Sequence, residues 1–193
     1  MIYKIGRFLT YLLSLILFRI TITGKENIPK SGGALICPNH ISNIDPVVIS
    51  FTTPREIHYM AKAELFKNPL LSWFFKKVNA FPVNREKVGV ETIKTSLKIL
   101  KEDKVLGIFP EGHRVDPEDR TPPASGFVVF AIKTKSPIVP VRIKGHYRFR
   151  SKIEIIIGKP VYLEEYYGKK LTDEETRQLS EKIMDTVYGL ELT

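Results

Sequence analysis

The strongest constraint on the fold is a short polar stretch, residues 39–46, enclosed by apolar runs at 34–37 and 47–51. An apolar run that leads into a histidine, and an aspartate that stands before a proline and a second apolar run, are typical of a strand, a loop and the start of a helix. Open α/β sheets carry their binding and catalytic groups at strand ends of this kind. The pattern therefore predicts that residues 39–46 form a functional loop.

His40 and Asp45 are the two groups of this loop that can act as base and orienting acid. On a regular helix, positions five apart point about 140° away from each other, so the two side chains can meet only across a turn. If they meet, the carboxylate accepts a hydrogen bond from one imidazole nitrogen and leaves the other nitrogen as a base. The alternative is that Asp45 is only a helix N-cap before Pro46 and that His40 is a hydrogen-bonded loop residue.

The remaining pattern alternates apolar, β-branched runs with segments of helical periodicity. This alternation predicts a single α/β domain with a largely parallel sheet flanked by helices. Strands are expected at residues 20–23, 34–37, 56–61, 105–109, 137–141 and 152–158, and helices from Pro46, at 64–78, 91–101 and 127–134, and after the capping box at 172–175.

The first 18 residues predict an amphipathic helix. Four polar side chains at helical spacing, Lys4, Arg7, Tyr11 and Ser14, form one narrow stripe, and nearly every other residue is apolar. A wide apolar face of this kind must be covered by the body of the protein or by lipid.

The uncharged part of this helix, residues 8–18, is about 16 Å long as a helix and cannot span a bilayer. No small-residue cleavage site follows it, so a signal peptide is not expected. The helix either packs on the body or lies in the membrane interface with Lys4, Arg7 and Arg19 toward lipid phosphates. We favour the interface, with residues 1–19 as the membrane-associated segment.

The charge of the chain suggests an anionic partner. Thirty basic against 21 acidic residues leave +9, and residues 133–159 alone carry eight Lys or Arg against one Glu. Membrane phosphates, CoA, acyl carrier protein and nucleic acid all fit such a surface. The single cysteine, Cys37, excludes an intrachain disulfide and fits a reducing, cytosol-facing location. Because it ends an apolar run, we expect a small buried hydrophobe rather than a nucleophile beside His40.

Residues 64–78 concentrate large apolar and aromatic side chains, closed by two lysines. A cluster of this kind is expected to pack in the core. The alternative is a position at the membrane interface or along an acyl-chain groove.

Four short blocks follow one another between residues 24 and 141. The first comprises residues 24–29, 32–36 and Asn39-His40-Ile41-Ser42-x-x-Asp45; the others are residues 80–85, 109–114 and 137–141. In order and spacing these blocks resemble the glycerolipid acyltransferases, in particular the bacterial 1-acylglycerol-3-phosphate acyltransferases.

The resemblance implies roles for named residues. His40 and Asp45 would activate the acceptor hydroxyl for attack on an acyl thioester. Arg85, Glu111, Gly112 and Arg114 would line the pocket for the acceptor phosphate. A guanidinium offers phosphate a planar fork of donors, and a glycine lets the backbone approach a ligand closely. Oxyanion donors are also needed, and backbone amides near the helix start at Asp45 are the candidates.

Two departures from the family pattern concern the same pocket. His113 stands where the Phe-Pro-Glu-Gly-Thr-Arg signature has threonine. The Phe-Lys pair that relatives carry before the glycine corresponding to Gly126 is absent, so any phosphate contact of that lysine is lost or passes to Arg120.

We therefore expect an enzyme that moves a fatty acyl group from acyl-CoA or acyl carrier protein to the sn-2 hydroxyl of 1-acylglycerol-3-phosphate, forming phosphatidic acid in phospholipid biosynthesis. No cofactor besides the thioester co-substrate, no metal and no nucleic acid are expected. The expected partners are the lipid substrate, the acyl donor and an anionic membrane surface. Residues 20–193 would form the acyltransferase domain, held peripherally or monotopically at the cytoplasmic face of the cell membrane.

Three alternatives remain. The same chemistry could use another acceptor, such as glycerol 3-phosphate or another lysolipid. A metal hydrolase could be built from His40, Asp45 and His113, although their spacing is poor for ligands. A non-catalytic module could bind a membrane or nucleic acid through the +9 charge and the basic, aromatic residues 144–150.

Overall fold

The computed structural model describes residues 2–84, 88–116 and 121–191. Within these residues, seven strands form one sheet and six α-helices flank it. The strands are β1 (Arg19–Thr23), β2 (Ala34–Pro38), β3 (Ile57–Lys62), β4 (Ala80–Val83), β5 (Val105–Gly107), β6 (Ile138–Gly145) and β7 (Lys152–Ile157). The helices are α1 (Ile2–Leu17), α2 (Asp45–Ile49), α3 (Pro69–Lys77), α4 (Val90–Lys101), α5 (Gly126–Thr134) and α6 (Asp173–Gly189).

The strand order is β1-β7-β6-β2-β5-β3-β4, and every neighbouring pair is parallel except β6 and β7. Parallel neighbours need a crossover of a dozen or more residues. The short connection at residues 146–151 therefore leaves β6 and β7 antiparallel. The predicted α/β domain with a largely parallel sheet is confirmed, with strand ends shifted by a few residues.

The connections assign the helices to the two faces of the sheet. The steps from β2 to β3 and from β3 to β4 run in one direction across the sheet, whereas those from β4 to β5 and from β5 to β6 run back. Because such crossovers are right-handed in about 98% of cases, α2 and α3 share one face and α4 and α5 share the other.

Packing agrees with this assignment. On β2, which is buried along its whole length, alternate side chains enter two separate cores. Ile36 packs in the same core as Val48 and Ile49 of α2, while Leu35 packs in the core that contains Leu100 of α4 and α5 residues. Both faces of the central strands are therefore covered.

The aromatic stretch differs from its prediction in two ways. A 3-10 turn at Ala63–Phe66 precedes α3, and the two are separated because the residue before Pro69 disfavours helical geometry. No residue of α3 is buried, so the expectation that this cluster packs in the core is wrong. The physical reason is position, because α3 leads into β4, the edge strand, where the sheet offers no further neighbour.

Helix α1 also differs from its prediction. Three of the four residues in its polar stripe contact the protein, whereas Lys4 is exposed. Arg7 donates to the Thr53 carbonyl at 2.9 Å, Ser14 is buried, and Tyr11 packs on Phe51 with ring centroids 5.4 Å apart. The expectation that Arg7 points toward lipid phosphates is therefore wrong. The wide apolar face of the helix is exposed instead, and its exposed large side chains are Ile5, Phe8, Leu9, Leu12, Leu13, Leu15 and Ile16.

No helix in the described part of the chain has the length and apolar character needed to cross a bilayer.

Candidate active site

The loop between β2 and α2 lies at the carboxyl edge of the parallel strands. Its first residue, Asn39, is buried and forms two hydrogen bonds with one residue of β6. The Asn39 amide donates to the Ile143 carbonyl at 3.0 Å and accepts from the Ile143 N–H at 2.7 Å. This paired contact fixes the start of the loop on the neighbouring strand.

His40 and Asp45 meet across this loop. His40 Nδ1 lies 2.8 Å from Asp45 Oδ2, and the same oxygen accepts from the N–H groups of Ile41 and Ser42, each at 2.7 Å. Because a carboxylate only accepts, Nδ1 carries the proton and Nε2 of the neutral imidazole is left as the acceptor. Asp45 is fully buried and begins α2, with Ile44 at the N-cap position, so its carboxylate serves both the loop and the histidine.

The Glu111 carboxylate binds the backbone of His40. Its Oε2 accepts from the His40 backbone N–H at 2.7 Å, and its Oε1 accepts from the hydroxyl of Tyr188 on α6. Burial raises the pKa of Glu111, while these two hydrogen bonds and the nearby imidazoles of His40 and His113 act in the opposite direction. Both carboxylate oxygens are thus engaged with the protein.

The sequence did not identify Tyr188. An aromatic residue near the end of an amphipathic helix looks like a packing residue, and no motif marks it. Only the chain fold brings α6 to the turn that carries Glu111.

The turn after β5 completes the wall around His40. Gly112 has a φ of +71°, a conformation that favours glycine, and it lines the cavity described below. The N–H of Val115 donates to the His40 carbonyl at 2.8 Å. Between them, His113 and Arg114 are exposed on the same turn. Arg85 and Arg120 lie outside the described residues.

Four backbone amides near the start of α2 are already engaged. Those of Ile41 and Ser42 donate to Asp45, that of Ile44 to the Ser42 hydroxyl at 3.2 Å, and that of Asp45 to the Ser42 carbonyl at 3.1 Å. For these four amides, the expectation that they stabilise an oxyanion is wrong. Their hydrogen bonds instead build the turn that brings Asp45 under His40.

Two tyrosines also adjoin the buried aspartate. Burial raises the pKa of Tyr59 and of Tyr147, and the charge of Asp45 raises each further. Their hydroxyls and Asp45 Oδ1 are buried and have no hydrogen-bond partner within the described residues. Both phenols therefore stay protonated at neutral pH.

An apolar cavity of about 390 Å³ opens beside His40. The ring of Phe109 lies 4.2 Å from the imidazole, between centroids, at the entrance. The cavity extends between the sheet and helices α4 and α5, and it is lined mainly by apolar residues: Met60, Val83, Val88, Ile93, Ile108, Phe109, Pro110, Ala124, Phe127, Val129 and Phe130, with His40, Gly107, Gly112, Gly126 and Lys133. Such a shape fits a long apolar group whose end must reach the imidazole.

Cys37 is fully buried, and desolvation raises the pKa of its thiol well above the usual range. A thiol in this state is not a nucleophile, as expected. Within residues 2–84, 88–116 and 121–191, no three His, Cys, Asp or Glu side chains form a group that could hold a metal ion, so His40, Asp45 and His113 do not form one.

Comparison with known proteins gives a consistent picture. The family model described as "Acyltransferase" matches residues 19–144. A 1-acyl-sn-glycerol-3-phosphate acyltransferase of Bacillus subtilis is 39% identical over 74% of this chain and 74% of its own length. The protein of the same name from Borreliella burgdorferi is 30% identical over 88% of this chain and 70% of its own length.

A solved structure is also similar. The 1-acyl-sn-glycerophosphate (LPA) acyltransferase PlsC from Thermotoga maritima superposes with a TM-score of 0.72 at 24% sequence identity. The match covers 98% of this chain and 80% of the other.

We expect Glu111→Gln to change how stability depends on pH. Because burial raises the pKa of Glu111 above 4.5, the folded protein holds this proton more tightly than the unfolded chain does. The stabilisation is complete below the unfolded pKa and is lost as the pH rises through the folded pKa. Glutamine does not titrate, so the free energy of unfolding of the variant should rise relative to wild type as the pH increases from about 4 toward neutral.

Urea unfolding across that pH range measures the difference. Glu165→Gln, on the exposed surface, controls for the removal of a negative charge. A difference between Glu111→Gln and wild type that stays constant with pH would contradict the assignment.

Proposed function

This chain belongs to the acyltransferase family, and we propose that it transfers a fatty acyl group from a thioester to the sn-2 hydroxyl of 1-acylglycerol-3-phosphate, forming phosphatidic acid. The observation that carries the proposal is the His40–Asp45 pair, 2.8 Å apart, at the mouth of an apolar cavity. The names of the Bacillus and Borreliella relatives support the choice of acceptor.

His40 is the general base in this proposal. Its Nε2 takes the proton of the acceptor hydroxyl while the oxygen forms a bond to the thioester carbonyl carbon. The carbon–sulfur bond then breaks, and the imidazolium returns the proton to the leaving thiolate. The products are an ester and a free thiol, and no acyl-enzyme forms.

Asp45 sets the direction of this proton transfer. Its carboxylate keeps the proton of the neutral imidazole on Nδ1 and stabilises the imidazolium that forms during attack. The buried position and the three donors on Oδ2 hold the carboxylate in one orientation. His40 is therefore preorganised before substrate binds.

Glu111 positions His40 rather than binding the acceptor. The two donors on its carboxylate, from the His40 backbone and from Tyr188, leave it poorly suited to a phosphate, which would also repel its charge. The acceptor phosphate is better matched by Arg114, which is exposed on the neighbouring turn, and by Arg85 beyond the end of β4. Gly112 would let the backbone of that turn come close to the acceptor.

The cavity beside His40 accommodates the fatty acyl chain. Its lining is mainly apolar, so burial there stabilises a chain of methylenes but not a polar head group. The thioester would then lie at the entrance, next to the imidazole. Acyl-CoA and acyl carrier protein both present such a chain.

The exposed apolar face of α1 supports a peripheral position on a membrane, and our proposal places the enzyme at the cytoplasmic face of the cell membrane. The helix is fixed to the body through its polar side, so the apolar side chains are free to enter the interface of a lipid monolayer. This arrangement brings the enzyme to a lipid acceptor.

We expect His40→Ala and Asp45→Asn each to lower kcat for acyl transfer to lysophosphatidic acid in detergent micelles by a factor of about 10² or more. The first variant removes the base, and the second removes the charge that holds its tautomer. Assays with acyl-CoA and with acyl carrier protein in parallel also identify the donor. His58→Gln is the matched control, because His58 lies on β3 and its ring donates a hydrogen bond to the Val105 carbonyl at 3.2 Å rather than contacting Asp45.

A His40→Ala enzyme that keeps full activity would rule out this mechanism. The wild-type enzyme could instead be inactive on lysophosphatidic acid with both donors but active on glycerol 3-phosphate or another lysolipid. That result would support the proposed chemistry and show that the acceptor is a different one.

A second prediction concerns the cavity. Val129→Trp places a larger side chain in a lining position and should lower kcat/KM for long-chain donors at least about tenfold more than for short-chain donors, because the space for the distal methylenes is lost. Val90→Trp is the control, since Val90 is exposed on α4 and is not among the lining residues. Equal losses for donors of every length would show that the chain binds elsewhere.

A further inference from the structure

Helix α3 and the turn before it present a large apolar surface to solvent. We define the α3 surface as Leu65, Leu70, Leu71, Trp73 and Phe74; Leu70 is 72% exposed, Trp73 53% and Phe74 47%. Single exposed apolar residues are common, but a contiguous group of this size on a soluble surface marks an interaction site.

The stability of the fold does not account for this surface. No residue of α3 is buried, and the helix begins with a local cap in which the Asn68 side chain accepts from the N–H groups of Leu70 and Leu71. An α3 made of polar residues would satisfy the same cap and cover the same edge of the sheet. The large side chains therefore serve something outside the described chain.

The position of α3 relates this surface to α1. Helices α2 and α3 share one face of the sheet, as the strand order requires, and α1 packs beside α2, with Tyr11 in contact with Phe51 just after that helix. The two helices with the most exposed apolar side chains, α1 and α3, thus lie on the same face. The other face is covered by α4 and α5, whose inner sides pack in the core.

The charges around the α3 surface indicate an anionic occupant. Residues 62–77 contain four lysines, Lys62, Lys67, Lys76 and Lys77, all exposed, against one acidic residue, Glu64. Two copies of the chain that met through this patch would bring eight lysines together and repel each other. An anionic lipid monolayer has an apolar interior beneath a layer of negative charge. The interior matches the apolar side chains of the α3 surface, and the negative charge matches the lysines around it.

We propose that the α3 surface is a second membrane-contact element beside α1, which inserts its aromatic and leucine side chains into the interface of a membrane containing anionic lipids. The inference rests on the proposed function, because a lipid acceptor requires contact with a membrane. Two separated contacts on one face would fix the orientation of the enzyme on the membrane, which a single helix cannot do.

The chain supplies its own probe, because Trp73 is its only tryptophan. The full-length protein is mixed with vesicles of phosphatidylcholine alone or of phosphatidylcholine with phosphatidylglycerol, and Trp73 emission and vesicle binding are recorded on the same samples. We expect a blue shift, and quenching by lipids brominated in their acyl chains, that are larger with the anionic vesicles.

A pair of variants separates the α3 surface from other exposed apolar residues. Leu70→Ser combined with Phe74→Ser should lower vesicle partitioning about tenfold or more, since two large side chains no longer leave water. Tyr162→Ser removes a side chain that is 56% exposed outside the α3 surface, and it should change partitioning by less than about twofold.

Two results would overturn the proposal. One is vesicle binding with unchanged Trp73 emission, which assigns the contact to α1 alone. The other is a blue shift that depends on protein concentration without lipid, which assigns the surface to a second copy of the chain. Acyl transfer to lysophosphatidic acid in micelles, measured on the same preparation, reports separately on the proposed function.

Discussion

The site depends on one buried carboxylate. Asp45 Oδ2 accepts hydrogen bonds from the His40 ring and from two backbone amides of the loop, so it stabilises the turn as well as the histidine. Hydrogen bonds to a charged acceptor are roughly twice as strong as neutral ones, so the three on Oδ2 offset part of the cost of burying the charge, while Oδ1 has no partner within the described residues. The same atom therefore folds the loop, orients the imidazole and fixes its tautomer.

The surrounding fold holds this loop from three directions. Asn39 attaches it to β6, Glu111 attaches its backbone to the turn after β5, and Tyr188 attaches Glu111 to α6. Elements far apart in sequence thus converge on His40, and the parallel sheet places their ends at one edge. The apolar cavity lies on the α4 and α5 side of that edge, whereas the exposed apolar helices lie on the other face. The proposed acyl-chain cavity and the proposed membrane-contact surface therefore lie on opposite faces of the sheet.

The sequence predicted the features that depend on local sequence patterns. Residue spacing alone left open whether His40 meets Asp45, and the resemblance to the glycerolipid acyltransferases favoured that pair. The parallel sheet followed from the alternation of strands and helices. Features that depend on distant packing were missed. The aromatic run around Trp73 has the composition of a core helix, and only its position at the edge strand leaves it exposed. The polar stripe of α1 was predicted to face lipid phosphates, yet Arg7 donates to the carbonyl of Thr53, which is 46 residues away in the sequence. Nothing local marked Tyr188 as the partner of Glu111.

The tautomer of His40 tests the central claim most directly. Nitrogen-15 NMR of histidine-labelled protein, with His40→Ala to assign the signal, distinguishes a proton on Nδ1 from one on Nε2 in the neutral ring. Our account predicts the Nδ1–H form in wild type, held by Asp45, and a mixture of both forms in Asp45→Asn. A wild-type His40 that carries its proton on Nε2 would contradict the account, because the nitrogen facing the cavity would then be unable to act as the base.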